Sequence, residues 1–475
     1  MSEAIQVPGW RGDRGRGPEV LRSLFAALWV VLLLLRGPER AEARPNFLVV
    51  LTDDQRADTI RALGNRHIYT PALDRLVRAG TSFREAHIMG SPQHGAVCQP
   101  SRAMLMSGRS VFRVREDLRD TDTWPEQLRR AGYRTFMAGK WHNGEASARR
   151  VFPDAAAVFL GGMTDQFAAK VADIRAGELA ARRTETNFTA QVFADAAMRF
   201  LRQQTNGEPF CLYVALTTPH DPRTAPPEFR QRYQPGKLPL PANFLPRHPF
   251  DNGELEIRDE KLLPWPRTPE ALRGELADYY ASITATDFQI GRLLAELERL
   301  RLTENTIVVV AGDNGLALGS HGLLGKQNLY EHSTRVPLVV SGPGIARDRR
   351  TDALCYLGDL APTLCGLAGV APPADSEGMD LGPVLRAERG ARGRETLFTI
   401  YRDGQRAVRD ERWKLIEYPR LGRQQLFDLR QDPVEAKDLS GMDSSRRNLA
   451  RLTAMLRNEQ RRWSDPICAD DPARH

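Results

Sequence analysis

The chain has 475 residues, of which 41% are hydrophobic and 27% charged, and its formal net charge is +7. This length allows one large domain or two unequal ones, and the composition is that of a globular protein. A basic chain can face nucleic acid, an anionic membrane or an acidic substrate. Because no basic run is interleaved with aromatic residues, we expect no nucleic-acid partner.

The first 43 residues have the pattern of an export signal. A long basic region precedes an apolar stretch from Phe25 to Leu35, and Ala41-Glu42-Ala43 fits a cleavage site of small residues. The apolar stretch is short for a membrane span, and an uncleaved signal anchor is the alternative. We expect residues 1–43 to be a signal peptide. The mature protein is then soluble, without stable membrane insertion, and periplasmic or extracellular, or in a lysosome-like compartment of a eukaryote.

Four apolar runs predict strands buried on both faces of a mostly parallel sheet. In open α/β sheets, ligands bind outside the carboxyl ends of the strands, so polar residues that follow such runs are site candidates. The four runs lead into Asp53 and Asp54, into Lys140 and His142, into His220, and into Asp313 and Asn314.

Taken alone, each of these strand ends has a simpler interpretation. Asp53 and Asp54 can form a turn that caps a helix. Lys140 and His142, two residues apart on one face of a predicted strand, can be solvated. Four such ends together favour a shared site, and their oxygen ligands favour Ca²⁺ or Mg²⁺ over zinc.

The stretch C-Q-P-S-R from Cys98 to Arg102 carries a different signal. Pro100 and Ser101 suit the first turn of a helix, so Cys98 is predicted to lie just before a helix N-terminus. Free N–H groups and the helix dipole favour an anion there, and Arg102 adds a fixed positive charge. The chemistry leaves two interpretations, an activated thiolate nucleophile or a modified cysteine.

The remaining cysteines and the rest of the chain leave alternatives open. The chain has five cysteines, and an odd number leaves at least one outside any bridge; Cys355 and Cys365 could pair, but we assign no disulfide. The Pro-rich stretch 221–269 either walls a substrate pocket or is a passive loop. After about residue 380 the pattern changes to short strands, with a hairpin turn at Asp403-Gly404, and a final amphipathic helix.

Several motifs resemble one enzyme family. C-x-P-S-R followed by S-G-R is similar to the sulfatase signature, in which the cysteine is oxidised to formylglycine. The segments N-F-L-V-V-L-T-D-D, G-Y-R-T-F-M-A-G-K-W-H, T-T-P-H-D-P-R, G-D-N-G, L-G-K-Q-N-L-Y-E-H-S-T-R-V-P-L and L-F-D-L-R-Q-D-P-V-E resemble further blocks in family order. On these motifs the chain is identified as a member of the formylglycine-dependent (type I) sulfatases, in the alkaline-phosphatase-like superfamily.

The resemblance implies a fold and a domain organisation. The fold is α/β, with a large mixed, mostly parallel sheet sandwiched by helices and a smaller C-terminal α+β subdomain that holds a short antiparallel sheet. The expected boundaries are 1–43 for the signal peptide, 44–380 for the catalytic domain and 381–475 for the C-terminal subdomain.

The resemblance also implies the cofactors. Cys98 becomes formylglycine, made by a formylglycine-generating enzyme during maturation, and its hydrate is the nucleophile. One divalent cation is expected, Ca²⁺ by family expectation, although ligand chemistry alone also allows Mg²⁺. The implied metal ligands are Asp53, Asp54, Asp313, Asn314 and an oxygen at the position of Cys98.

Carried over to this sequence, the family's catalytic roles fall on five further residues. Arg102 and Lys140 hold and activate the hydrate. Lys326 and His220 contact the sulfate, and His220 is the acid for the leaving alcohol. His142 is the base that collapses the enzyme sulfate ester.

The implied function is that of a secreted sulfatase acting on a sulfated small molecule or glycan, with a sulfated carbohydrate as the expected substrate. A phosphate or phosphonate monoester hydrolase of the same superfamily is one alternative. A non-catalytic sulfoglycan-binding protein, with Cys98 unmodified, is another. His94, His321 and His332 lie near the motifs as either substrate contacts or structural residues.

Overall fold

The structure, a computed structural model, describes residues 44–93, 97–204 and 207–468, besides Met1 and Gly9. Apart from those two positions, the predicted signal peptide lies outside the described residues, and so does His94. Within the described part of the chain, no helix combines the length and apolarity that crossing a membrane requires.

The strands and helices follow the chain in an order that alternates between the two classes for much of its length. In the described residues the strands are β1 (Asn46–Thr52), β2 (Gly80–Phe83), β3 (Ala86–His87), β4 (Gly90–Ser91), β5 (Arg134–Lys140), β6 (Ala155–Phe159), β7 (Ala169–Arg175), β8 (Glu178–Leu179), β9 (Arg183–Glu185), β10 (Phe210–Ala215), β11 (Thr306–Gly312), β12 (Leu338–Ser341), β13 (Arg349–Thr351), β14 (Cys355–Tyr356), β15 (Leu397–Tyr401), β16 (Gln405–Arg409), β17 (Trp413–Tyr418) and β18 (Arg423–Asp428). The helices are α1 (Pro71–Ala79), α2 (Cys98–Ser107), α3 (Trp124–Arg130), α4 (Glu145–Val151), α5 (Thr189–Leu201), α6 (Pro227–Arg230), α7 (Pro269–Arg299), α8 (Glu331–Thr334), α9 (Leu360–Leu367), α10 (Gly382–Leu385) and α11 (Arg446–Trp463).

The large sheet has the strand order β13-β2-β12-β11-β1-β10-β5-β6-β7-β8, with β9 paired to β7. Its centre, from β11 through β1, β10 and β5 to β6, is parallel, and antiparallel β12 and β7 flank it. Every residue of β1, β10 and β11 is buried. This confirms the predicted mixed, mostly parallel sheet, because strands covered on both faces have continuous apolar runs.

Helices cover both faces of this sheet, and the alternation of side chains along β1 shows how. Leu48 and Val50 belong to a core shared with α1, α5 and α7. Phe47, Val49 and Leu51 point the other way, into a core shared with α2, α3 and α9. The period of two along a strand therefore divides one apolar run between two hydrophobic layers.

The predicted C-terminal antiparallel sheet is also confirmed, with the order β18-β17-β16-β15-β4. Helix α11 packs on it through Leu452 and Leu456. Its edge strand β4 comes from the segment before Cys98 and pairs parallel to β15. Gly90 makes that approach feasible: its φ is +104°, and a Cβ there would lie 1.8 Å from the carbonyl oxygen of Ile400.

Local details differ from the expectations at two places. Helix α2 begins at Cys98 itself, one residue earlier than predicted. Strand β5 ends at Lys140, so His142 lies beyond the strand, with a φ of +68°. All five cysteines are free in the structure, including Cys355 and Cys365.

Candidate active site

The four predicted strand ends meet at one edge of the sheet. Because β11, β1, β10 and β5 are consecutive neighbours and parallel, the polar residues after them face the same region. Ligand atoms of Asp53, Cys98 and Asp313 lie within 4.8 Å of one another, and so do those of Asp53, Asp54 and His220. The structure thus brings together the residues that the sequence singled out.

Cys98 lies buried in the first turn of α2, at the centre of this group. Its Sγ atom is 3.5 Å from Nδ1 of His142, 3.8 Å from Nζ of Lys140 and 3.9 Å from Nζ of Lys326. Burial raises the pKa of the Cys98 thiol above its usual value, although the charges of Lys140 and Lys326 oppose this. The environment therefore does not stabilise a thiolate at this position.

Each buried carboxylate of the site accepts a hydrogen bond from one cationic side chain. Lys140 Nζ donates to Asp53 Oδ2 at 2.5 Å, and Lys326 Nζ donates to Asp54 Oδ1 at 2.6 Å. The third pair joins Arg102 Nε to Asp313 Oδ2 at 2.9 Å.

The pKa values of two of these carboxyl groups, Asp54 and Asp313, are shifted in opposite directions. Burial works to raise the pKa of Asp54, but the charges of His220 and Lys326 hold it well below its usual range. Burial, reinforced by the charge of Asp53, raises the pKa of Asp313 to about 6. Asp54 is therefore ionised throughout the physiological range, whereas Asp313 begins to take up a proton as the pH falls toward 6.

Two oxygen atoms of the site fit a bound cation. Asp53 Oδ1 and Asn314 Oδ1 are buried and accept no hydrogen bond from any described residue. Asn314 is oriented by its amide, which donates to Asp54 Oδ1 at 2.7 Å. Unpartnered buried acceptors are costly, and oxygen-only donors suit a hard divalent cation. The residues present therefore fit Ca²⁺ or Mg²⁺.

The serine after Pro100 has a tertiary contact that the sequence did not indicate. Ser101 Oγ donates to the backbone carbonyl of Asp313 at 2.6 Å. This hydrogen bond connects the first turn of α2, which carries Cys98, to the loop that carries Asp313 and Asn314.

Two histidines belong to the site around Cys98. Burial and the charge of Lys140 lower the pKa of His142 to about 2, so its ring is neutral. A Cβ at Gly162 would lie 2.8 Å from His142 Nε2, so that position must be small. His220 donates through Nδ1 to the carbonyl of Asp221 at 2.8 Å, which leaves Nε2 facing Asp54 Oδ2 at 3.7 Å.

A cavity of about 350 Å³ opens over Cys98, with Lys326 and both histidines among its lining. Its rim includes Glu254 and Arg258, from the Pro-rich segment, and Tyr401 and Arg402, from the end of β15. Arg402 Nη1 donates to Glu254 Oε1 at 3.1 Å, which joins the two segments. The Pro-rich segment therefore walls the cavity, and the sequence contained no local signal for the rim residues of β15.

Two of the three additional histidines lie away from this cavity. His321 Nε2 donates to the carbonyl of Glu435 at 2.9 Å, and its ring stacks on Tyr330 at 3.8 Å between centroids. His332 lies 5.4 Å from the His321 ring. Neither lines the cavity at Cys98, which favours the structural interpretation.

Comparison with known proteins identifies the family. Residues 45–370 match the model of the sulfatase family, and residues 319–462 match that of the N-sulphoglucosamine sulphohydrolase C-terminal region. The chain is 26% identical to N-acetylglucosamine-6-O-sulfatase of Bacteroides thetaiotaomicron over 550 residues, covering 98% of this chain and 96% of that relative.

Solved structures share the fold. A protein in complex with its substrate D-glucosamine-2-N,6-O-disulfate superposes with a TM-score of 0.77 at 24% identity, over 90% of this chain and 100% of the other. The phosphonate monoester hydrolase of Agrobacterium radiobacter has a TM-score of 0.70 at 21% identity, over 88% and 96% of the two chains. The family match spans most of the chain and coincides with the cluster around Cys98. The chain belongs to the sulfatase family, in the alkaline-phosphatase-like superfamily, and is a sulfuric ester hydrolase.

Proposed function

We propose that this sulfatase removes a sulfate ester from a sulfated sugar, with a nucleophile made by oxidation of Cys98 and with one bound divalent cation. The observation that carries the proposal is the position of Cys98 Sγ, within 4 Å of Lys140, Lys326 and His142, at the base of a cavity. Those three groups are the ones that anionic ester hydrolysis needs around an attacking atom.

Formylglycine at position 98 is favoured over a thiolate for two reasons. Burial raises the pKa of the thiol, so a thiolate is disfavoured. Sulfur is also a poor partner for a hard cation, whereas the oxygens that formylglycine supplies are good ligands and supply the nucleophile. A formylglycine-generating enzyme is therefore the expected partner during maturation.

Asp53, Asp54, Asp313 and Asn314 would hold the cation together with position 98, and we propose Ca²⁺. When bound, the cation supplies positive charge next to the reacting oxygens. The unpartnered oxygens of Asp53 and Asn314 support this assignment.

The cationic side chains act on the sulfate and on the attacking group. Lys326 lies on the cavity side of Cys98 and is placed to bind the anionic sulfate, and its pKa is held high by Asp54 against the effect of burial. Lys140 and Arg102 lie behind Cys98, where they would orient the nucleophile through Asp53 and Asp313. Fixed charges in a buried site need no reorganisation during the reaction.

The two histidines are placed to move different protons. His142 is neutral and touches position 98, so it is placed to accept a proton there. His220 has its Nδ1 proton committed to the Asp221 carbonyl, so Nε2 is the atom that exchanges a proton with the leaving alcohol. Burial lowers the pKa of His220, so its protonated form is a strong acid.

A sulfated glucosamine is the substrate class that we propose. It is supported by the relative named N-acetylglucosamine-6-O-sulfatase and by the structural neighbour solved with D-glucosamine-2-N,6-O-disulfate. The polar and charged rim of the cavity, with Glu254, Arg258 and Arg402, suits the hydroxyl groups of a sugar.

Export and domain roles complete the proposal. Residues 1–43 would direct the chain out of the cytoplasm, to the periplasm, the cell exterior or a lysosome-like compartment. Residues 44–380 would form the catalytic domain, and residues 381–475 a subdomain that contributes Tyr401 and Arg402 to the cavity rim.

The test is a turnover screen with glucosamine 6-sulfate, glucosamine N-sulfate, an aryl sulfate, and the phosphate and phosphonate esters of the same phenol. The enzyme is produced with a formylglycine-generating enzyme, and peptide mass spectrometry reports the state of Cys98. We expect the wild type to release sulfate from a glucosamine sulfate and to carry formylglycine at position 98. The Cys98→Ala variant should have neither the formylglycine nor the activity.

Three results would contradict the proposal. Faster turnover of the phosphate or phosphonate ester would favour the alternative that the Agrobacterium radiobacter hydrolase represents. Full activity in Cys98→Ala would overturn the nucleophile. A non-catalytic binding protein would be favoured if the protein bound sulfated sugars tightly without turnover. In that case Cys98 would also stay unmodified after co-production with the formylglycine-generating enzyme.

A further inference from the structure

A second concave site takes no part in the proposed reaction. It is a cavity of about 330 Å³ whose lining includes Arg61, His67, Tyr69, Arg232 and Lys237, with buried Tyr233 among the residues of its floor. We call it the basic cleft. It shares no lining residue with the cavity over Cys98.

Among the residues that the structure describes, the cations of the basic cleft have no acidic partners. None of its lining residues is acidic, and Arg61, Arg232 and Lys237 form no ion pair with any residue in the described ranges. Some exposed arginines elsewhere are paired, for example Arg75 with Glu298, Arg182 with Glu145 and Arg430 with Glu411. Unneutralised cations that converge on a concave surface raise the local concentration of anions.

An exposed aromatic ring accompanies these charges. Tyr69 is 48% exposed, and the Arg232 guanidinium lies 4.9 Å from the centroid of its ring. The backbone N–H of Tyr69 donates to the Tyr233 hydroxyl at 3.0 Å, and that hydroxyl is hydrogen-bonded to Thr284. The hydrogen bond to Tyr233 therefore holds Tyr69 in place. Its ring offers a flat apolar face, and the guanidinium N–H donors of Arg232 lie beside it.

Helix α7 connects the basic cleft to the active site. Thr284 supports Tyr233 under the cleft, and the Tyr279 hydroxyl donates to the carbonyl of Asp54 at 2.7 Å. Five residues of helix correspond to about 8 Å of axial rise, so two adjacent turns of α7 contact both sites. A ligand bound in the cleft is thus held on the same rigid frame as the catalytic groups.

We propose that the basic cleft is a non-catalytic binding site for an anionic glycan, with the arginines and Lys237 on sulfate or carboxylate groups and Tyr69 against the apolar face of a sugar ring. Arginine pairs with such oxyanions through two parallel hydrogen bonds. The site would hold one part of a long chain while another part reaches Cys98, which raises the effective concentration of the substrate. This inference rests on the proposed function for the class of glycan.

Other polyanions fit the cleft less well. A lipid surface needs protruding apolar side chains that enter the acyl region, whereas Ile68 and Leu238 of the cleft are buried. Single-stranded nucleic acid binds on a series of aromatic platforms, whereas Tyr69 is the one exposed Phe, Tyr or Trp among the lining residues of this cleft.

The test compares two triple variants of the full chain that change the net charge equally. Arg61→Gln/Arg232→Gln/Lys237→Gln alters the cleft, and Arg75→Gln/Arg182→Gln/Arg430→Gln alters paired surface arginines. Binding of a sulfated heparan hexasaccharide is measured by calorimetry in 50 and 150 mM NaCl, beside phosphatidylserine vesicles and a single-stranded oligonucleotide. Turnover of an aryl sulfate and of the hexasaccharide is measured in parallel.

We expect the cleft variant to bind the hexasaccharide roughly tenfold or more weakly, with a reduced salt dependence, because three exposed contacts to a polyanion are lost. Tyr69→Ala should also weaken binding, without a change in charge. The KM for the hexasaccharide should rise while kcat on the aryl sulfate is unchanged, and the control variant should behave as wild type.

Equal losses in the two triple variants would overturn the inference, since the effect would then be one of net charge alone. Vesicle or oligonucleotide binding stronger than glycan binding, and dependent on the same three residues, would also overturn it. Binding is read without turnover, so an enzyme that binds the hexasaccharide through the cleft but hydrolyses none of the sulfate esters would contradict the proposed function and not this inference.

Discussion

Two buried clusters of charged residues in this protein contain similar groups but differ in how their oxygen atoms are paired. One is the active site, with three aspartates facing Lys140, Lys326 and Arg102. The other, which we call the Glu331 cluster, joins β3 and α8 to strands β16 and β17 of the C-terminal sheet. Its members are Glu85, His87, Glu331, Arg409, Lys414 and Glu435.

In the Glu331 cluster the central carboxylate is paired on both oxygens. Glu331 Oε1 accepts from Lys414 Nζ at 2.9 Å, and Oε2 accepts from Arg409 Nη1 at 2.8 Å. Glu85, His87 and Glu331 are close enough together to hold a metal ion, but Arg409 already occupies the Glu331 oxygen nearest to His87. This cluster therefore fits a structural role.

The active site keeps acceptors without donors. Asp53 Oδ1 and Asn314 Oδ1 have no hydrogen-bond donor among the described residues, and a cavity opens beside Cys98. The comparison shows that a count of buried charges does not distinguish a catalytic centre from a structural one. Access to a cavity does not distinguish them either, because Glu331 also lines one. The distance from an oxygen to its cation does: Glu435 Oε1 lies 2.8 Å from Lys414 Nζ, whereas Asp53 Oδ1 lies 3.8 Å from Arg102 Nη2.

The largest expected effect comes from removing a carboxylate oxygen at the active site. We expect Asp53→Asn to lower kcat/KM at least about a thousandfold, because cation binding supplies several kcal/mol of transition-state stabilisation. Added Ca²⁺ should raise the free energy of unfolding of the wild type, by about 2.7 kcal/mol at a hundred times Kd, and not that of the variant. Calorimetric unfolding with Ca²⁺ or with chelator measures this; equal Ca²⁺ stabilisation in both proteins would remove Asp53 from the metal site.

The second effect falls on stability. Glu331→Ala leaves Arg409 and Lys414 without their shared partner, and breaking a buried ion pair in this way costs about 3–5 kcal/mol. Urea unfolding should show this loss, while kcat at a temperature where the variant is folded, and its stabilisation by Ca²⁺, should remain close to wild type. A loss below about 1 kcal/mol, or a variant that is stable but inactive, would contradict the distinction between the clusters.

A third effect is a pH dependence next to the Glu331 cluster. Burial lowers the pKa of His321 to about 4, below the 6.5 of an exposed histidine. Between these values the unfolded chain binds a proton that the folded chain does not, so stability is full above pH 6.5 and is lost as the pH falls toward 4. For this residue the loss is on the order of 3 kcal/mol.

Urea unfolding of the wild type and of His321→Gln at pH 7 and at pH 4.5 measures the contribution. The variant should show a smaller decrease in the free energy of unfolding between the two pH values. Equal decreases in both proteins would show that His321 titrates normally. His142 has a lowered pKa as well, so part of the decrease should persist in the variant.

The smallest expected effect is on a surface ion pair, which serves as a reference for the buried ones. Arg75 pairs with Glu298 at 2.8 Å on the surface, where both side chains are about half exposed. Arg75→Ala should therefore change the free energy of unfolding by less than about 1 kcal/mol, because solvent screens such pairs. A cost comparable to that of Glu331→Ala, measured by the same urea titration, would mean that burial does not separate the two kinds of ion pair.

Much of the fold and the central part of the site followed from the sequence. The apolar runs at β1, β10 and β11 predicted buried parallel strands, and the polar residues after them predicted a common site at their carboxyl ends. This works because burial on both faces demands an unbroken apolar run, while the strand end is where polar groups can reach a ligand. The predicted roles of the individual residues remain proposals for the experiments above.

The position of His142 shows the limit of local patterns. The pleat of a strand predicted that Lys140 and His142 share a face, and both do contact Cys98. The reason is different, since β5 ends at Lys140 and a left-handed backbone conformation at His142 directs its ring back to the site. A single residue with positive φ has no periodic signal in the sequence.

The sequence by itself thus determined the sheet, the strand-end residues and the cysteine at the helix start, because each depends on neighbours within a few positions. Only the tertiary structure decided which oxygens stay unpaired, which segments form the cavity rim, and that Gly90–Ser91 completes the C-terminal sheet. The physical reason is the same in each case. These features arise from contacts between residues far apart in the chain, whose packing leaves no repeated local pattern to detect.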